Sequence, residues 1–234
     1  MIFYSTNDKT NTADLKTAVL KGLASDKGLY MPESIPVLPK TFWENIPGKT
    51  MGEIGFELLK PYFCPDIPED TFHKMVDDAF NFPVPVVKIT ENISTAELFH
   101  GPTLAFKDVG ARFLARVMSY FASNQGDINV LVATSGDTGS AVANGFLGVK
   151  GVKVHVLYPS GLVSRLQELQ FTTLGQNVTA YEVSGVFDDC QRMVKECFMD
   201  KELNQKRILT SANSINLARF LPQSVYYAYA LSQI

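Results

Sequence analysis

The stretch Ile128-Asn129-Val130-Leu131-Val132-Ala133-Thr134-Ser135-Gly136-Asp137-Thr138-Gly139-Ser140 decides the fold. Its first six residues form an apolar run broken only by Asn129, the pattern of a strand covered on both faces. A Gly/Ser/Thr turn follows, and then a helix over about Thr138 to Leu147. Reading outward, the alternation continues. Lys153–Tyr158, Asn177–Val183 and Arg207–Thr210 read as strands. The segments Val163–Leu174, Phe187–Met199 and the chain from Ile215 onward read as helices. Before the central strand, Phe106, Val109, Gly110, Phe113, Leu114, Val117, Met118 and Phe121 make one helical stripe. Val86–Ile89 and Thr95–Phe99 are further strand candidates. Repeated strand–helix units predict an α/β fold, a mostly parallel sheet with helices on both faces.

The first part of the chain reads differently. Leu15, Ala18, Val19 and Leu23 have helical spacing, and Ser25-Asp26-Lys27-Gly28 makes a turn. A connector with Pro32, Pro36 and Pro39 is extended, because proline fixes φ and removes a donor. Helices are expected over about Met51–Lys60 and Pro68–Phe80. Phe82-Pro83-Val84-Pro85 then breaks the pattern. The division expected is a small, mainly helical N-terminal domain at 1–83 and an α/β domain at 84–234.

Composition narrows the function. With 46% hydrophobic residues and a net charge of −3 over 234 residues, the chain is globular and lacks the basic block that phosphate backbones require. No nucleic-acid partner is expected. Nor is a membrane partner, since no apolar run approaches the ~20 residues of a spanning helix. Met1 to Asp8 lacks the features of a signal peptide, so a cytoplasmic location is expected. Cys64, Cys190 and Cys197 form no CxxC pair and no metal-ligand spacing, so no metal is expected. Cys190 and Cys197 share a helical face and read as core residues.

Parallel sheets gather ligands where strands end and helices begin, and three such loops here hold unusual residues. In His100-Gly101-Pro102-Thr103-Leu104-Ala105-Phe106-Lys107-Asp108, the lysine falls in the first helical turn. There the helix field and burial favour the neutral amine, which can form a Schiff base. The alternative is a solvated lysine beside an Asp108 that supplies the charge a helix start prefers. In Thr134–Ser140, free amides and hydroxyls either hold an anion or simply cap a tight loop. In Ser211-Ala212-Asn213-Ser214-Ile215-Asn216-Leu217-Ala218-Arg219, Asn213 and Ser214 are natural caps, and Arg219 is one turn from an anion site. The chain contains no GxxxxGK[ST], GxGxxG or GxSxG motif, which weakens kinase, dehydrogenase and hydrolase readings.

Together these runs resemble the threonine synthase family. Leu98–Asp108 is similar to its cofactor-lysine motif, Ala133–Ser140 to its substrate loop, and Ser211–Asn216 to its third signature. Asp26-Lys27-Gly28-Leu29-Tyr30-Met31-Pro32 resembles its N-terminal turn, with Lys27 where glycine is common. The resemblance covers the whole chain in order. It implies a fold-type II enzyme using pyridoxal 5′-phosphate, with Lys107 carrying the cofactor and then working as general base and acid. It also implies that O-phospho-L-homoserine loses phosphate and gains water at Cβ to give L-threonine. Ser135, Gly136 and Thr138 would hold the substrate carboxylate, and Asp137 would approach the cofactor ring. Asn213, Ser214 and Arg219 would hold the substrate phosphate. Sibling dehydratases and β-replacement enzymes usually carry Asn where this chain has Asp137, and a sibling or a cofactor-free homologue is the alternative. The family's second Gly-rich loop, for the cofactor phosphate, is not found in these residues. The expectation is therefore an incomplete α/β domain, the N-terminal part of a longer enzyme that is a monomer or homodimer, with these residues alone inactive.

Overall fold

In the computed structural model, which describes residues 1–122 and 127–234, the chain opens with three short strands, β1 (Phe3–Ser5), β2 (Thr12–Ala13) and β3 (Tyr30–Pro32). They form an antiparallel sheet with β1 in the middle, Tyr4 lying opposite Met31. The N-terminal unit is mainly helical, as expected, with this small sheet added to its helices. Strands of two or three residues carry no period-two pattern, and long-range pairing alone defines them. Helix α1 (Leu15–Lys21) starts where Asp14 accepts from the Thr17 amide and stops at Gly22, whose φ is 72°. Lys27 sits at φ 69° in the turn, the left-handed region that explains the glycine common at this place.

Two of the next three helices follow the sequence pattern. Helix α2 (Lys40–Glu44) is short and unexpected. Helix α3 (Met51–Phe63) is fixed by a capping box of Thr50 and Glu53 and continues through Pro61. Helix α4 (Glu69–Ala79) buries Phe72, Val76 and Ala79. Strands β4 (Val86–Lys88) and β5 (Ser94–Ala96) pair only with each other, antiparallel, apart from the main sheet.

The α/β body follows the expected alternation: α5 (Lys107–Ala122), β6 (Ile128–Ala133), α6 (Asp137–Gly145), β7 (Val152–Pro159), α7 (Arg165–Thr172), β8 (Val178–Val183), α8 (Phe187–Met199), α9 (Lys201–Lys206) and β9 (Ile208–Ser211). Its sheet is fully parallel, in the order β8-β7-β6-β9. All six residues of β6 are buried, as a strand covered on both faces requires. The polar α9 has no apolar stripe and escaped the sequence reading. The single helix expected from Ile215 is broken into α10 (Leu217–Phe220), a 3-10 turn at Leu221–Gln223 and α11 (Ser224–Leu231). Pro222 interrupts it, and the cap is Asn216 rather than Asn213 or Ser214. The Asn216 side chain accepts from the Ala218 amide and donates to the Val19 carbonyl.

One apolar cluster runs from Phe3 through Phe113 to Tyr226, while Cys190 and Val194 close a smaller one under α8, with Cys197 packed against it. All three cysteines are free thiols. No helix among the described residues is long and apolar enough to cross a membrane. Helix α10 lies tight against α5: a Cβ on Gly110 would stand 2.6 Å from the Arg219 carbonyl oxygen. Gly110→Ala should therefore cost about 1–3 kcal/mol by overpacking, despite alanine's better helix propensity. Urea unfolding measures this, and an unchanged or higher stability would show that the two helices can separate freely.

Candidate active site

Lys107 is the first residue of α5, and the loop before it is folded back by the residue after it. The Asp108 carboxylate, 1% exposed, accepts from the Thr103 amide at 2.9 Å and the Thr103 hydroxyl at 2.5 Å. Gly101 has no room for a side chain against that carboxylate. Asp108 is thus a clamp on the Gly101–Phe106 loop and not simply a favourable charge at a helix start. Leu104 takes φ 61° within the loop. Lys107 is not a freely solvated lysine: its side chain is 20% exposed. Its Nζ lies 4.3 Å from the Phe106 ring centre and 3.3 Å from the Asp137 carboxylate.

Asp137 comes from the other motif, 30 residues on, where β6 passes into α6. The buried Thr134 hydroxyl oxygen accepts the amides of Gly136 at 3.0 Å and Gly139 at 2.8 Å. Gly136 takes φ 145° and Gly139 abuts the Thr134 side chain, so both positions exclude a Cβ. Of the α6 start, the Asp137 and Thr138 amides have no acceptor among the described residues. Such donors at a helix N-terminus suit an anion. Ser135 is exposed and Thr138 half-buried beside them. Gln167, on α7, donates to the second Asp137 oxygen. Its neighbour Gln170 donates to the Thr103 carbonyl at 3.3 Å, so α7 touches both loops.

The third group stands apart. Its loop leaves β9 beside the end of β6, with Ser211 opposite Leu131. Among the described residues, no hydrogen bond joins it to Lys107 or Asp137. Asn213 is half-buried and lines a separate cleft with Ala133, Val194 and Lys195; Ser214 is exposed. Arg219 is fully buried and donates to the Ala212 carbonyl, while its Nε and Nη2 have no partner among the described residues. Burial pulls its pKa down to about 10, so it stays a cation at neutral pH. In this conformation Arg219 holds its own loop.

Sequence reading missed Thr103, Thr134 and Gln167. For Gln167 a signal existed: α7 also starts at the carboxyl edge of the sheet, and Ser164 caps it. His100, the histidine nearest the site in sequence, is bonded to Glu97 at 2.7 Å and does not reach Lys107.

Comparison with known proteins identifies the family and the fold. Residues 2–80 match the family described as threonine synthase N terminus, and residues 95–224 match pyridoxal-phosphate dependent enzyme. The chain is 43% identical to the threonine synthase of Buchnera aphidicola from Acyrthosiphon pisum, covering 100% of this chain and 55% of that protein. It is 40% identical to the Escherichia coli threonine synthase, covering 100% and 54%. A pyridoxal-phosphate-bound threonine synthase from Brucella melitensis superposes with a TM-score of 0.93 at 38% identity, covering 99% of this chain and 52% of that one. The chain thus spans about half the length of these relatives.

Proposed function

The chain belongs to the pyridoxal-phosphate-dependent enzyme family, and from that premise we propose that it carries the reactive lysine and the substrate-carboxylate loop of a threonine synthase. The reaction would release phosphate from O-phospho-L-homoserine and add water at Cβ to give L-threonine. The proposed division is an N-terminal unit at 1–83 and a catalytic unit at 84–234.

One observation carries this reading. Two motifs 30 residues apart set a shielded amine against a carboxylate at a helix start whose free amides suit an anion. Those residues fit the cofactor. Lys107 supplies the amine that would hold its aldehyde carbon, and the glycines at 136 and 139 keep the loop clear of side chains. When bound, pyridoxal 5′-phosphate supplies an electron sink for charge developing at the substrate Cα.

The chain's own residues do the rest. Asp137, itself fixed by Gln167, orients the Lys107 amine, and that amine takes a proton from the substrate and returns one as general base and acid. Ser135, Gly136 and Thr138 bind and orient the substrate carboxylate at the α6 N-terminus. Asn213, Ser214 and Arg219 are proposed to receive the substrate phosphate. Support for Arg219 is its pair of unpartnered donors, the chemistry a phosphate dianion meets. Its complete burial means that the Ser211–Asn216 loop must open first.

Phosphate release from O-phospho-L-homoserine by the full-length protein with cofactor supplied tests the reading, and none at all would sink it. Turnover of serine or threonine in its place would identify a sibling dehydratase. Asp137→Asn should slow phosphate release about 10- to 100-fold, the size of a lost hydrogen bond to a charged group. Wild-type kinetics in that variant would remove Asp137 from the site.

A further inference from the structure

The first turn of a helix leaves backbone amides without partners, and α5 starts with the residue proposed above to react. From α11, 120 residues further on, the Tyr226 hydroxyl donates to the Phe106 carbonyl at 2.7 Å. One buried hydroxyl therefore holds the backbone of the residue just before Lys107. Burial, and secondarily the charge of Asp108, push the phenol pKa up, so its proton stays in place for the Phe106 carbonyl. Close packing of α10 on Gly110 holds the following turn. With the Asp108–Thr103 clamp, the backbone on both sides of Lys107 is held.

We propose that Tyr226 is a positioning residue for Lys107: its hydroxyl holds the Phe106 carbonyl, immediately ahead of α5, from across the fold and fixes where the amine is presented. This rests on the reading that Lys107 is the residue that carries the cofactor. A phenylalanine at 226 keeps the ring and removes only the bridging oxygen. The cost then falls on the geometry of the turn more than on the core.

The test is pyridoxal 5′-phosphate added to the protein and trapped by borohydride, with the modified lysine located by peptide mass. Wild-type protein should be labelled at Lys107, and Tyr226→Phe should be labelled there about fivefold more slowly or worse, the effect of one ordinary hydrogen bond. A Tyr226→Phe protein that unfolds at a lower temperature but labels Lys107 at the wild-type rate would overturn the positioning role alone. Wild-type protein not labelled at Lys107 would sink the reading of the lysine and this role with it.

Discussion

Lys107→Ala should abolish phosphate release, with a loss of at least ~10³-fold, and should leave no cofactor trapped by borohydride at this helix. The substitution is mild for the fold. Alanine is the best helix former, and the lysine it replaces makes one partly exposed ion pair, an interaction worth under ~1 kcal/mol. Unfolding should therefore barely move while activity disappears. Lys107→Arg sharpens the test. Arginine can keep the pairing with Asp137, but its guanidinium does not lose its proton and cannot attack a carbonyl. If Lys107 were only an electrostatic partner of Asp137, the arginine variant would stay active. If it is the nucleophile, both variants are dead. Phosphate release within tenfold of wild type in either one would overturn the assignment.

Phe113→Ala should cost about 3–5 kcal/mol, the range for emptying a buried phenylalanine site. Phe113 is fully buried on α5 and meets Phe63 of α3 edge-on, with ring centres 5.0 Å apart. It also meets Phe72 of α4 at 5.9 Å and Phe80 at 6.2 Å. These rings join the N-terminal helices to the helix that carries Lys107, and they belong to one continuous apolar cluster. The loss should therefore appear as a single shift of the urea transition, seen alike by far-UV circular dichroism and by the fluorescence of Trp43. A loss under about 1.5 kcal/mol, or a Trp43 signal that does not follow the rest, would show that the N-terminal helices hold together without α5.

Much of the α/β body was legible because its signals are local. The run Ile128–Ala133 became β6 at the expected residues, and Phe187–Met199 became α8. Lys107 falls in a first turn, as its motif and the stripe behind it predict. Several misses come from pairing over distance: strands β1 to β3 exist only as partners of one another, and Asn216 became the cap while also bonding Val19. Arg219 turned inward to Ala212, seven residues back. Helices α2 and α9 are too short to carry an apolar stripe.

The sequence by itself determined the strand–helix alternation of most of the α/β body, the family, and the loops to which the chemistry is assigned. Hydrophobic period and turn residues act over a few positions and are written in order along the chain. Only the tertiary structure decided which loops meet: that Asp137 faces Lys107, that Gln167 bonds Asp137, and that the Tyr226 hydroxyl bonds the Phe106 carbonyl ahead of α5. It also decided that Arg219 is sealed beneath its own loop. Those pairings span 7 to 120 residues. They are set by which faces the core brings together, because a buried donor or acceptor must find its partner wherever packing has placed one.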